Sequence, residues 1–271
     1  MSNVAPSPSI GALLREWRTK RRMSQLALAA EAEISQKHLS FLESGRSIPS
    51  REMVMRLAEH LTIPLRQRNQ LLVAAGFAPH FGERRLDDPL LAPARLAMRQ
   101  VLAAHEPNPA FAIDRLFNLI DANTMVAPFL EGVEEPALLK PPLNVMRLCL
   151  HPRGLAPHIV NLSEWRDHLF VRLRRQAALT GDPAFDDLER ELATYPAGPR
   201  THAPVNPDIA RIANPLCIRL NGDILTFIAT LSVFGNAVDI TLSEIAIESF
   251  FPADDRTAAI VRQLRDQRRE R

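Results

Sequence analysis

Gln36 and Lys37 stand side by side at the start of a short apolar-periodic segment that opens on a serine, Ser35. A glutamine amide pairs both ways with an adenine edge, and a lysine donates to the acceptors of guanine. At the first turn of a helix, the two have the chemistry of base recognition. With Leu39 and Leu42 turned inward, Lys37, Ser40, Phe41 and Ser44 lie opposite on the helical wheel, with Gln36 at the edge. Phe41 can touch a thymine methyl group; its alternative is a place in a domain interface. Ser44, Arg46 and Ser47 suit phosphate contacts after the helix, whereas plain solvation is the alternative for Lys37 and Arg46. His38 falls beside Leu42 and belongs to the helix boundary rather than to the base-reading set.

Five helical patterns position these residues. Ile10, Leu13, Leu14 and Trp17 mark the first, which ends in Lys20-Arg21-Arg22, a cluster equally suited to phosphate or to closing the helix. Ser24 caps a second over 25–32, Ser35 a third over 36–43, and Ser50 a fourth over 51–61, and a fifth over 65–75 stops at Gly76. Two helices of about eight residues within 25–42 leave room only for a tight corner, with Ala29 at the crossing. That is the helix-turn-helix pattern, whose second helix enters the major groove.

The stretch SQLALAAEAEISQKHLSFLESGRSIPSREMVMRLAEHL resembles the lambda-repressor-like, Xre-type family, with the match covering residues 10–77. The resemblance implies that Gln25 clamps the DNA backbone and that Arg18 and Glu43 form an internal ion pair. The DNA-binding set is then Gln25, Ser35, Gln36, Lys37, Ser40, Phe41, Ser44 and Arg46. One residue departs from the family: Glu33 stands where the turn usually has glycine. A left-handed conformation there costs roughly 1 kcal/mol.

The chain's 271 residues carry a net charge of +2 that hides an asymmetry. Residues 1–80 hold +5 and residues 81–271 hold −3, so only the first part is suited to a polyanion. The longest uncharged run, 224–238, is fifteen residues and too short to span a bilayer. MSNVAPSPSIG lacks the pattern of a signal peptide, and two cysteines, Cys149 and Cys217, make no disulfide framework, so a cytoplasmic protein is expected. No GxSxG, HExxH, GxxxxGK or GxGxxG occurs, which predicts no enzyme and no cofactor. His151, His158 and His168 are spaced seven and ten apart and put no three ligands on one face, so no metal is expected.

Residues 81–94 mix proline, glycine and both charges without periodicity and form a linker. Beyond it, a helix over 94–104 precedes two short strands, 110–114 and 117–121, around a tight Arg115-Leu116 hairpin. Short helices follow at 124–130 and 144–150, then a long one capped by Ser163 and another opened by Asp182-Pro183. Three strands end the pattern. Leu216, Ile218 and Leu220 alternate up to the hairpin signal Asn221-Gly222, and Leu225 to Val233 alternate after it. In the third run Val238, Ile240 and Leu242 change phase to Ile245 and Ile247, which predicts a bulge near Ser243-Glu244. A helix over 256–271 closes the chain.

Two strands, several helices and a three-strand meander are the order of a PAS-type sensor domain. The segments PNPAFAIDRLFNLIDAN, NVMRLCLHP, SEWRDHLFVRLRRQA and DITLSEIAIESFFPADD resemble the MmyB-like ligand-binding domain attached to Xre-type regulators, over about 105–265. The resemblance implies a sensor, with a fatty acid as one class of ligand. A cavity between sheet and helices needs an apolar wall and one or two orienting polar groups. Phe111, Phe117, Phe129, Met146, Phe227 and Leu231 are the wall candidates, and Arg147 or His151 could meet a carboxylate. Plain core packing, or for Arg147 a surface ion pair, is the alternative.

The expectation is therefore a two-domain chain. An all-α five-helix helix-turn-helix domain spans 1–80. After the linker, 95–271 form an α+β PAS-like domain with a five-stranded antiparallel sheet. Its partners would be double-stranded DNA with a palindromic operator, a small apolar or amphipathic ligand, and a second copy of itself, with no membrane. The alternative is a DNA-binding autorepressor whose C-terminal domain serves only dimerisation or a protein partner.

Overall fold

Serines start the first four helices of the computed structural model, which describes residues 8–198 and 213–270. Helices α1 (Ile10–Lys20), α2 (Gln25–Glu31), α3 (Gln36–Glu43) and α4 (Arg51–His60) follow Ser9, Ser24, Ser35 and Ser50. Each hydroxyl accepts from the backbone N–H three residues on, at 3.0–3.3 Å, and each cap contributes about 1 kcal/mol. Helix α5 (Leu65–Ala74) completes the group. Leu14, Leu28, Leu39, Leu42, Leu57 and Leu72 are fully buried between the helices. At Gly11 a Cβ would lie 2.5 Å from the Leu42 carbonyl oxygen, so α1 crosses the end of α3 at a distance only glycine allows.

Three of these helices close in one way. Arg22, Glu33 and Thr62, just past α1, α2 and α4, adopt left-handed φ of 56°, 53° and 49°. The N–H that follows each reaches a carbonyl five residues back: Met23 to Arg18, Ile34 to Ala29, Ile63 to Ala58, at 2.9–3.1 Å. That is the Schellman closure built without glycine, and the strain expected at Glu33 is present at three turns. Arg21 donates to the carbonyls of Leu61 and Thr62 at 2.7 and 2.8 Å, and Lys20 pairs with Glu16. The basic cluster after α1 thus closes helix ends.

The described chain forms two compact units, one running to Arg84 and taking in Ala237–Ser243, the other spanning Arg85–Asn236 and the residues after Glu244. In the first unit, Asp239 is buried and pairs with Arg84 at 2.9 Å. The Ile240 N–H donates to the Gly82 carbonyl at 2.8 Å and the Thr241 hydroxyl to the Arg84 carbonyl at 2.6 Å.

In the second unit a five-stranded antiparallel sheet runs in the order β2-β1-β5-β4-β3. Its strands are β1 (Ala110–Ile113), β2 (Leu119–Ala122), β3 (Leu216–Leu220), β4 (Asp223–Val233) and β5 (Ala246–Pro252). Helices α6 (Ala92–Ala104), α7 (Ala127–Leu130), α8 (Val145–Leu150), α9 (Leu162–Thr180) and α10 (Ala184–Ala193) lie between strands or before them. Asn221 and Gly222, both at positive φ, turn β3 into β4 as the sequence predicts. The Asp182 carboxylate accepts from the Ala184 N–H at 2.9 Å at the start of α10.

Four local expectations are corrected. The third β run does not begin at Val238: Ile240–Ser243 form a helical turn, α11, started by Asp239 accepting from the Thr241 N–H at 3.0 Å. Strand β5 starts only at Ala246, opposite Val233, so the change of apolar phase marks a helix-to-strand junction and not a bulge. Ser163 does not cap α9; Asn161 holds the N-cap position, while its amide donates to the Pro215 carbonyl and accepts from the Cys217 N–H, fastening β3. The first hairpin needs five residues and not two, because Asp114 accepts from the N–H groups of both Leu116 and Asn118. The last helix, α12 (Asp255–Arg269), stops before Arg271, which lies outside the described residues.

Candidate nucleic-acid interface and ligand cavity

Helix α3 presents its first turn to solvent while its far end is anchored. Leu39 and Leu42 are buried, and Gln36, Lys37, Ser44 and Arg46 are exposed. Arg18 grips Glu43 with two hydrogen bonds, 2.6 and 2.9 Å, and spends another on the Met23 carbonyl. Gln25 donates to the same carboxylate at 2.8 Å. Burial would push the Glu43 carboxyl up, but the hydrogen bonds from Arg18 and Gln25 outweigh it and hold it below its ordinary range. The Glu43 hydrogen bond correspondingly raises the Arg18 guanidinium. The ion pair implied by the resemblance is therefore formed, and it fixes Gln25, at the start of α2, relative to the end of α3.

The exposed side of α3 carries an aromatic ring between two cations. Phe41, half-buried, has the Lys37 ammonium and the Arg46 guanidinium each 5.7 Å from its ring centre. Such contacts hold long side chains over a ring instead of letting them roam. Ser40 is half-buried on the same side. Two serines have local duties: Ser35 caps α3, and the Ser44 hydroxyl donates to the Phe41 carbonyl at 3.3 Å. Gly45, at φ 74°, lets the Arg46 N–H return to that carbonyl and swings Arg46 back toward Phe41. Chemically, the face offers an amide, two cations and an apolar ring to a polyanion with readable edges.

The second unit encloses an apolar cavity of about 90 Å³. The sheet supplies Phe111, Phe227, Phe250 and Glu248; α8 supplies Met146 and Cys149; α9 supplies Trp165, Leu169 and Arg172. Phe117 and Phe129 close it from the loops and α7. Phe129, Phe227 and Phe250 meet edge to face at 6.0 and 6.2 Å, and Phe111 leans on Phe250 at 5.6 Å. One ion pair lies in this wall: Arg172 donates to both oxygens of Glu248 at 2.9 and 3.0 Å, 5.8 Å from the Phe117 ring centre. The indole nitrogen of Trp165 is buried and meets no oxygen or nitrogen acceptor, only the weakly accepting Cys149 sulfur beside it. Burial pushes the Cys149 thiol up to about 12, so it stays protonated and the wall gains no charge from it.

Five of the eight cavity residues expected from sequence line it: Phe111, Phe117, Phe129, Met146 and Phe227. Three do not. Leu231 shares the Phe227 face of β4 but sits past the sheltered part of the strand, 53% exposed. Arg147 makes a two-pronged pair with Glu191 at 2.7 Å on the outer side of α8, where the Glu191 hydrogen bond raises it. His151 packs edge-on against Tyr195 at 5.1 Å. Trp165, Arg172 and Glu248, the polar residues that do reach the wall, were missed as site residues, although a signal was there: Arg172 follows Trp165 by seven positions, two helical turns on the same stripe. Glu248 shares its face of β5 with Phe250 by strand alternation.

Among the described residues, no group of three or more His, Cys, Asp or Glu is placed to hold a metal ion, and no helix is long and apolar enough to cross a membrane. Compared with known proteins, residues 94–264 match the family described as the MmyB-like transcription regulator ligand binding domain, and residues 14–67 match a helix-turn-helix family. Among solved structures, the clp gene regulator ClgR from Corynebacterium glutamicum aligns at 24% identity. That alignment covers 38% of this chain and 99% of ClgR, with a TM-score of 0.23. No curated protein matches.

Proposed function

Because the chain belongs to the family of the MmyB-like transcription regulator ligand binding domain and carries a helix-turn-helix, we propose that it is a cytoplasmic homodimeric regulator that reads a palindromic operator and responds to a small apolar ligand. In this reading residues 1–80 bind DNA, 81–94 join the halves, and 95–271 sense and dimerise. Gln36 and Lys37 contact base edges, Phe41 a thymine methyl, and Gln25, Ser44 and Arg46 the phosphates, with Ser40 beside them and Ser35 keeping the first turn of α3 wound. Phe111, Phe117, Phe129, Met146 and Phe227 surround the ligand. The observation that carries the reading is the exposed first turn of α3, locked from behind by the Arg18–Glu43–Gln25 cluster. Two recognition helices gain affinity from one association, and a ligand alters DNA affinity only by favouring one arrangement of the dimer over another.

A second reading, in which the C-terminal half serves only association, draws on Leu231 and Val233, both more than half exposed on β4. Native mass spectrometry of the freshly purified chain, before and after denaturation, separates the two. A dimer carrying a small adduct that leaves on unfolding supports sensing. A clean dimer whose operator affinity ignores every added small molecule supports association alone.

A further inference from the structure

The cavity wall restricts the ligand more narrowly than "apolar". We infer that it takes a small uncharged molecule with an apolar body and an amide or carbonyl head, met by Trp165, Arg172 and Glu248, and that it rejects free carboxylates. This rests on the cavity being a ligand site at all.

Size comes first. A cavity of about 90 Å³ is smaller than the roughly 150 Å³ void that holds benzene in another protein. Met146, an unbranched side chain in the wall, can yield and admit somewhat more. As it stands the cavity suits fewer atoms than benzene has, and a guest of about six to eight non-hydrogen atoms enters only with Met146 moved aside, so a long acyl chain is well beyond it.

Charge comes second. Glu248 is 3% exposed, and Arg172 answers both of its oxygens through one nitrogen. The two charges cancel within the wall, so neither is available to a charged guest. A carboxylate would enter beside the Glu248 carboxylate and compete for the same guanidinium, in surroundings of low dielectric where like charges repel most. An ammonium would meet Arg172 in the same way. The poorly answered group is a donor: the buried Trp165 indole N–H faces only the Cys149 sulfur, a weak acceptor. A carbonyl oxygen supplies a stronger one, and an amide adds an N–H for the Glu248 oxygens, which keep lone pairs to spare beyond Arg172.

The test uses the full-length chain at pH 7 with an isosteric pair, hexanamide and hexanoate, and with decanoate as the long acid, each titrated by calorimetry. Hexanamide is expected to bind at least tenfold more tightly than hexanoate. Trp165→Phe keeps an aromatic ring and removes the donor; it should weaken hexanamide about fivefold in a variant that still folds, with a melting temperature lowered by the lost buried volume. Glu248→Gln should narrow the gap between amide and acid. The inference is overturned if hexanoate binds as well as hexanamide in the wild-type chain, or if a folded Trp165→Phe variant holds the amide unchanged. Binding of decanoate alone, or of no probe, would also overturn it while leaving the sensor reading to the mass-spectrometric test.

Discussion

The two functional regions are built in opposite ways. The proposed DNA-reading face is one helix of eight residues and the loop after it, shaped by caps and turns within a few residues of the site. The cavity is assembled from all five strands with α7, α8 and α9, so its wall joins residues as far apart in sequence as Phe111 and Phe250. Each region nevertheless depends on one buried arginine–glutamate pair, Arg18–Glu43 behind the helix and Arg172–Glu248 in the cavity. Comparing those pairs shows what each is for. Glu43 is shared by Arg18 and Gln25, a three-cornered lock that holds three helices in register. Among the described residues Glu248 has Arg172 alone as its donor.

The largest effect should come from breaking the cavity pair. Arg172→Met leaves the Glu248 charge buried with no donor, which costs about 3–5 kcal/mol, whereas the double change Arg172→Met with Glu248→Leu recovers most of the loss. Urea denaturation of the single and double variants measures both. If the double variant is no more stable than the single one, the loss lies in packing around α9 and not in the stranded charge.

Arg18→Ala is the matching change in the other unit, and its cost is smaller, about 3 kcal/mol, because Gln25 still donates to Glu43. The lock also has a pH signature. Folding lowers the Glu43 value below its ordinary 4.5, so the folded chain favours the ionised form. The stability this adds is complete above pH 4.5 or so and is lost as the pH falls through the lower, folded value. Denaturant midpoints of wild type between pH 6 and pH 3 should show that loss, and Arg18→Ala should show less of it. Parallel curves for the two proteins would mean the acid sensitivity resides elsewhere, with Glu191 the next carboxylate held low by an arginine.

On the DNA face the expected effects divide by chemistry. Gln36→Ala or Lys37→Ala should weaken specific binding by roughly 1–3 kcal/mol and relax base preference at one position each. Arg46→Ala should instead weaken all sequences alike and lower the slope of log affinity against log salt by about one. Selection from a randomised operator pool, repeated at two salt concentrations, measures both. An unchanged base preference in the first two variants would move the reading face off the start of α3.

The contrast in construction also decides what could be seen before any coordinates. The first five helices were legible, because serine caps and buried leucines at helical spacing are local signals. The pair Arg18–Glu43 came from the family resemblance alone. Local patterning also found the aromatic wall at Phe111, Phe117, Phe129 and Phe227, since large rings on sheet and helix faces have few places to go but inward. The polar part of the cavity escaped it. Arg147 and His151 looked like anchors beside Met146, yet α8 turns them outward to Glu191 and Tyr195. Arg172 and Glu248, 76 residues apart, meet only because the sheet sets β5 against α9. The run from Val238 was misjudged for a related reason. Alternating apolar residues over a few positions fit a strand or a buried helical turn, and what decided was Asp239, whose carboxylate caps the turn and pairs with Arg84.

The smallest expected effect tests the local half of this comparison most directly. Glu33, Arg22 and Thr62 all close helices at positive φ, where a residue with a Cβ is strained. Glu33 is exposed, and its own N–H returns to the Ala30 carbonyl at 3.2 Å, a bond that glycine keeps. Glu33→Gly therefore relieves strain without removing a partner. It also gives the unfolded chain more freedom to lose, which offsets part of the gain. The net should be a stabilisation of about 0.5 kcal/mol, read as a small upward shift in the urea midpoint with an unchanged slope. Glu33→Ala keeps the Cβ and discards the charge, so it separates the two causes: it should leave the midpoint where it was. A midpoint that rises equally in both variants would place the cost in the Glu33 carboxylate near the end of α2 and not in its backbone.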